Sequence, residues 1–212
     1  MRVRKVVTRR GRRFRGYFAS SKMGDTVHWE SLLEKDALLL LELSPGVAAY
    51  QEQPEVIEYF DGEQFRECIP DLKVVLLDGT IRYIEVKPFD QLARPSIRKK
   101  YEAIALHFQS IQSPYRIVTE VEIRREPLFS NLQLLAYAHA HPWHEQPTDF
   151  DLLMAFQGHA ELPLSEVQQL WNLGDLYRLI ASGRLSCNLE LPLVGRSLIL
   201  LPKGGRDESI YL

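Results

Sequence analysis

Apolar and polar positions along this chain switch between two periods, and the switches mark out its elements. Over residues 27–43 the apolar side chains recur at helical spacing, with Asp25 or Thr26 available as N-cap and Ser44-Pro45-Gly46 as a stop. Short strand-like runs follow: 47–53, halted by Pro54; 56–60 and 64–69 around Asp61-Gly62; 72–77 and 80–86 around Asp78-Gly79. Each Asp-Gly pair signals a hairpin, because glycine takes the positive φ that a tight turn needs. Helical spacing returns over 95–110, with Ile97, Tyr101, Ile104, Ala105 and Phe108 on one side, and 115–119 reads as a buried strand. Helix, several strands, helix and strand in that order predict an α/β fold, a mixed sheet flanked by helices.

The rhythm changes in the second half. Residues 131–141 carry another helical pattern and 142–148 resemble a linker. Helical runs at 150–157, 164–171 (entered at Pro163) and 173–182 precede two strand-like runs, 184–191 and 196–201, around 192–195. Three short helices and a two-stranded wing predict a small C-terminal winged-helix domain. The expected organisation is a basic arm over 1–24, a core domain over 25–142 and the winged helix over 148–212. Antiparallel hairpins at the centre, and no glycine-rich phosphate loop, argue against a doubly wound nucleotide fold.

A length of 212 residues has room for one generous domain, or for a core with a small appendage. With 45% hydrophobic and 25% charged residues the composition is that of an ordinary soluble globular protein. No apolar run reaches the ~18 residues of a membrane helix, and no apolar stretch follows the basic start, as a secretory signal requires. An Arg-rich, acid-poor start could imitate a transit peptide, but the serine-rich amphipathic character is missing. Cys68 and Cys187 lie far apart in no ligand spacing and read as reduced core thiols of a cytoplasmic protein. The net charge of −2 conceals an asymmetry: Arg2, Arg4, Lys5, Arg9, Arg10, Arg12, Arg13, Arg15 and Lys22 precede the first acid, Asp25. Such a segment is either a phosphate-contacting arm, gaining counterion-release entropy on a nucleic acid, or a solvated tail.

Chemistry gathers at four positions. Glu34 lies over Leu38 and Leu41, an acid on the apolar arc of its helix, which costs free energy unless something pairs with it. Asp71 opens a strand after Ile69-Pro70, and Glu85 and Lys87 close the next in Ile84-Glu85-Val86-Lys87. Two acids and a lysine on neighbouring strands suit phosphodiester hydrolysis: carboxylates hold a hard divalent cation, and the lysine orients water or neutralises developing charge. Register decides whether they meet. A two-residue Asp78-Gly79 loop would put Asp71 and Glu85 on opposite faces; a three-residue loop with Gly79 left-handed puts Asp71 opposite Glu85. The bulged form is the one expected.

The stretch Glu30-Ser31-Leu32-Leu33-Glu34-Lys35-Asp36, then Val47 through Gln51-Glu52-Gln53-Pro54, then Ile69-Pro70-Asp71, then Ile84-Glu85-Val86-Lys87-Pro88, resembles the N-terminal domain of TnsA endonucleases, from about Gly16 to Thr119. The resemblance implies a restriction-endonuclease-like core and an active-site set of Glu34, Asp71, Glu85 and Lys87. It also implies that Asp71, Glu85 and the Val86 carbonyl hold Mg²⁺ (Mn²⁺ can substitute), with Glu34 holding the metal or its waters. The family nicks double-stranded DNA at the 5′ ends of a transposon, beside a TnsB-like transposase and a TnsC-like AAA+ ATPase. Two alternatives stay open: a standalone resolvase or defence nuclease of the same fold, and a non-catalytic DNA-binding or assembly module. Elsewhere the expectations are plain. His139, His141 and His144 lack the further ligands of a zinc site, Trp171 and Tyr177 read as core, and Arg178 and Arg184 either touch phosphate or solvate a helix end.

Overall fold

Strand-forming residues, not helix-forming ones, open the described chain. The computed structural model describes residues 14–141, 143, 146–202 and 209–212. β1 (Gly16–Ser20) and β2 (Asp25–Trp29) pair antiparallel, joined by a turn in which Gly24 takes φ 64°. The helix expected from residue 27 therefore starts later, as α1 (Leu32–Leu43), and its N-cap is Ser31 rather than Asp25 or Thr26. The physical reason is local: Thr26, Val27 and Trp29 are β-branched or aromatic and favour a pleated surface, and Val27 is buried there.

This hairpin is tied down through its turn. Lys22 Nζ donates to the carbonyls of Leu41 (3.1 Å), Val47 (2.8 Å) and Ser44, bridging the end of α1 to the start of β3. Glu42 accepts from Ser20 Oγ, the Ser21 and Lys22 amides and the Tyr50 hydroxyl, at 2.6–3.1 Å. The basic arm expected over 1–24 is thus in part folded structure, and Lys22 is a helix cap. Residues 1–13, with most of the arginines, lie outside the described residues.

β3 (Val47–Glu52), β4 (Ile57–Phe60), β5 (Phe65–Cys68), β6 (Leu72–Leu76) and β7 (Ile81–Val86) follow, then α2 (Phe89–Leu92), α3 (Pro95–Ser110), β8 (Tyr115–Val118) and α4 (Glu120–Ile123). One sheet runs β3-β6-β7-β8, antiparallel up to β7 and parallel between β7 and β8, while β4 and β5 form a separate hairpin. This is a mixed α/β unit with a mixed sheet, consistent with a restriction-endonuclease-like fold. Tyr59, Tyr83, Tyr101, Ile104 and Phe108 form one buried cluster of its core.

The β6–β7 turn has the three-residue form. Leu72 faces Ile84 and Val75 faces Ile81; the Leu76 amide donates to the Thr80 carbonyl at 2.9 Å, and Gly79 takes φ 84°. Continued by one position, that register sets Asp71 opposite Glu85.

The chain divides into two compact units, one ending at Arg124 and regaining Ile210–Leu212, the other Arg125–Ser209. The division falls ahead of the linker-like 142–148, of which residues 142, 144 and 145 lie outside the described ones. The second unit contains α5 (Leu128–His139), α6 (Asp149–Phe156), β9 (Glu161–Pro163), α7 (Leu164–Val167), α8 (Leu173–Ala181), β10 (Ser186–Cys187) and β11 (Leu198–Leu200). α5 packs on α8, and Asn131 Nδ2 donates to the Leu189 and Leu191 carbonyls at 2.9 Å, so this helix belongs with the second unit.

Its strands pair in the order β10-β11-β9, three where two were expected. They are also shorter than 184–191 and 196–201. After β10 the Asn188 side chain accepts the Glu190 amide at 2.9 Å, a local turn that competes with pairing. The helix expected over 164–171 is regular only through Val167. Arg178 is buried against Asp175 and the Ala138 carbonyl (2.7 Å), and Arg184 donates to the Pro147 carbonyl and Asp149 (2.6 Å each), so both arginines hold their own unit together.

Replacing Lys22 with Met keeps the aliphatic stem but removes a charged donor from three carbonyls, of which Leu41 and Ser44 keep an amide donor. Hydrogen bonds to charged groups are worth about 1.5–3 kcal/mol, so Lys22→Met should lower the urea midpoint at unchanged slope; an unchanged midpoint would show that the amides and water serve these carbonyls equally well.

Candidate active site and metal centre

Three short-range constraints build the site. Ile69-Pro70 delivers the chain to Asp71 at the mouth of β6, and the Asp71 carbonyl accepts the Gln53 amide at 2.9 Å, extending the β3–β6 pairing by one position. Gly79 sets the β6–β7 register. The end of β7 is then held by β8, where the Val118 carbonyl accepts the Lys87 amide at 3.0 Å.

The Lys87 ammonium is where the groups meet. Its Nζ lies 2.8 Å from Asp71 Oδ2, 2.7 Å from Glu85 Oε1 and 3.1 Å from the Val86 carbonyl oxygen. Asp71 Oδ2 also accepts the Val86 amide at 2.8 Å, so strand pairing and side chain fix it together. Glu85 is buried, at 7% exposure, and Tyr101 Oη donates to its Oε1 at 2.9 Å. Three oxygens thus converge on one cationic centre. They are the same three groups that the resemblance assigns to the metal, and as hard oxygen donors they fit a hard divalent cation. Among the described residues no group of three His, Cys, Asp or Glu side chains sits together as a metal-binding cluster; the oxygens that meet at Lys87 come from two carboxylates and one backbone carbonyl.

Electrostatics follow from this crowding. Burial, then the charge of Asp71, raises the Glu85 pKa above the ordinary glutamate range, against the pull of Lys87 and the Tyr101 hydroxyl. Burial works against the charge on Lys87, but Asp71 and Glu85 outweigh it and hold its pKa above the ordinary lysine range. Lys87 in this arrangement donates hydrogen bonds and carries charge; it is no base at neutral pH.

Glu34 stands apart from the other three. It lines a small pocket with His28, Glu30, Glu52, Gln53 and Asp71, and Glu85 is not part of that lining. Its Oε2 accepts the Glu30 amide at 2.7 Å and its Oε1 the Ser31 hydroxyl at 3.0 Å, while Ser31 Oγ accepts the Glu34 amide. The acid on the apolar arc therefore has a structural occupation, capping its own helix. Burial and then Asp71 raise its pKa, so it also feels the site.

Two neighbours were not legible as site residues. Tyr101 read as one more apolar position on α3. Gln53 adopts φ 41°, and its buried Oε1 has no hydrogen-bond partner; a left-handed residue ahead of proline leaves no signature in the hydrophobic pattern.

Residues 44–120 match the family described as TnsA-like endonuclease N terminal. The match supports a TnsA-type endonuclease. The match takes in Asp71, Glu85 and Lys87, and Glu34 precedes it. This TnsA-like domain supports a nuclease in a transposition context. No curated protein matches the chain. Among the described residues no helix is long and apolar enough to cross a membrane.

The raised pKa of Glu34 has a signed consequence. An unfolded glutamate releases its proton near 4.5, the folded one at higher pH, so between the two the folded state binds more protons. The stability this contributes is full below 4.5 and lost as pH rises through the folded value. Wild type should therefore lose stability relative to Glu34→Gln between pH 4.5 and neutrality, read by thermal melts at both ends; a constant difference would contradict the assigned burial.

Proposed function

We propose that this protein is a Mg²⁺-dependent DNA endonuclease that cuts at the 5′ ends of a transposon, as the TnsA-like subunit of a heteromeric transposase. The observation that carries the chemistry is the convergence of Asp71 Oδ2, Glu85 Oε1 and the Val86 carbonyl on one cation, at 2.7–3.1 Å from Lys87 Nζ. The match to the TnsA-like endonuclease family over residues 44–120 supports the transposition context.

In this reading Asp71, Glu85 and the Val86 carbonyl hold the ion, and Mn²⁺ can replace Mg²⁺ there. A bound divalent ion supplies Lewis-acid stabilisation of phosphate charge and acidifies water. Water oxygen attacks phosphorus and gives up a proton to solvent, while the P–O bond to the leaving sugar oxygen breaks and that oxygen takes a proton from solvent. Lys87 donates hydrogen bonds from a permanently charged ammonium, orienting the water or the phosphate oxygens and offsetting charge as it develops. Glu34, fixed by the Glu30 amide and the Ser31 hydroxyl, holds water at the Asp71 side of the site.

The order helix, strand, helix, helix, strand, strand from α6 to β11 supports a winged helix in the second unit. Target choice then comes from partners, a TnsB-like transposase and a TnsC-like AAA+ ATPase, with the basic segment before residue 16 giving sequence-blind phosphate attraction. Such a protein works in the cytoplasm, where its DNA lies.

Calorimetric titration of Mn²⁺ in the presence of a short duplex tests the site without waiting for partners. Saturable binding by wild type that disappears in Asp71→Ala is the expected result, together with loss of cleavage by at least 10²-fold wherever cleavage is measured, on the scale of a lost electrostatic contribution. Equal binding by both proteins, or none by either, would remove the catalytic reading in favour of an assembly module. Efficient cutting by the purified chain alone would instead favour a standalone nuclease.

A further inference from the structure

We infer that Tyr101 is a positioning residue for Glu85, holding the carboxylate in its ligating orientation while Lys87 gives way to the divalent cation. The inference rests on the reading of Asp71, Glu85 and Val86 as metal ligands.

A metal and the Lys87 ammonium compete for the same three oxygens. Two cations cannot share that point, so ligation requires Nζ to withdraw from at least part of its present contact with Asp71, Glu85 and Val86. Withdrawal removes one of the two donors that hold Glu85. The other is the Tyr101 hydroxyl, 2.9 Å from Oε1, which is neutral and has no quarrel with a cation. Both donors meet Glu85 at Oε1, and Oε2 takes neither contact. Tyr101 thus holds the same oxygen that Lys87 would release to the metal.

Tyr101 is itself held by packing. It is 6% exposed and packed in the cluster with Tyr59, Tyr83, Ile104 and Phe108, on the second turn of α3. A rigid aromatic stem delivers the hydroxyl to a fixed place, as partners behind metal ligands do elsewhere. Burial of Glu85 makes the contact matter more, because a buried carboxylate with no donor has little reason to stay in one rotamer or to stay charged.

The same cluster contains its own control. Tyr83 Oη donates to Glu55 Oε1 at 2.6 Å, a phenol-to-glutamate hydrogen bond from the same core, made away from the three ligating groups. Tyr101→Phe and Tyr83→Phe remove the same hydroxyl from two residues of one buried cluster, and the glutamate that Tyr83 serves, Glu55, is the more exposed and keeps Lys73 as a donor.

The experiment is Mn²⁺ titration by calorimetry on the full chain with a short duplex, for wild type, Tyr101→Phe, Tyr83→Phe and Asp71→Ala, with a thermal melt of each. The expected result is Mn²⁺ affinity lowered about 10-fold or more in Tyr101→Phe, the scale found for hydrogen-bond partners of metal ligands, and unchanged in Tyr83→Phe. Unchanged affinity in Tyr101→Phe, with wild-type binding intact and lost in Asp71→Ala, overturns the positioning role and leaves the metal site standing. Equal weakening in both phenylalanine variants also overturns it, assigning the effect to core packing. Absence of Asp71-dependent binding in wild type removes the metal reading and this inference together.

Discussion

Two carboxylates and a carbonyl meet at the Lys87 ammonium because the β6–β7 hairpin turns over three residues rather than two. In a strand pair the side chains alternate between faces, so a shift of one position would send Asp71 and Glu85 to opposite sides of the sheet. Gly79 at φ 84° prevents that. Once the acids are together, their mutual repulsion and partial burial must be met, and Lys87 meets both. Removing one member of such a buried group typically costs about 3–5 kcal/mol. Asp71, Glu85 and Lys87 thus hold one another as an ion-paired cluster, and removing Lys87 would leave two carboxylates uncompensated.

Much of this was legible in the chain itself. The Asp-Gly pairs marked two of the three hairpins of the first unit, and the requirement that Asp71 face Glu85 selected the bulged turn that is found. The helix over 95–110 has the expected bounds. What the pattern could not separate was residues 25–29 from the helix behind them. Val27 is apolar in either period, and only its pairing with Phe18 across the hairpin makes it a strand residue. α5 is a similar case: its apolar face says that it packs, and Asn131 reaching Leu189 and Leu191 says on what.

The site was partly legible for the same reasons. Glu34 drew attention as an acid on an apolar arc, and the structure supplies a bland explanation beside the functional one. Its carboxylate closes the first turn of α1 through Glu30 and Ser31 while sharing a pocket with Asp71. Tyr101 passed as core because it is core; its hydroxyl matters through a contact with Glu85 that comes from another element. Long-range polar contacts of that kind have no period, so no pattern along the chain reveals them.

One small contact bears on how the protein is made. The Tyr211 amide donates to Ser44 Oγ at 2.9 Å, and Leu212 is buried with the first unit. That unit is therefore discontinuous: Arg125–Ser209 is an insertion between its larger part and its last residues. On the ribosome, Ser44 emerges long before its partner does, and the entire inserted unit is synthesised in between. The first unit can thus assemble its sheet early, yet receives Ile210–Leu212 only after translation has passed through the other unit.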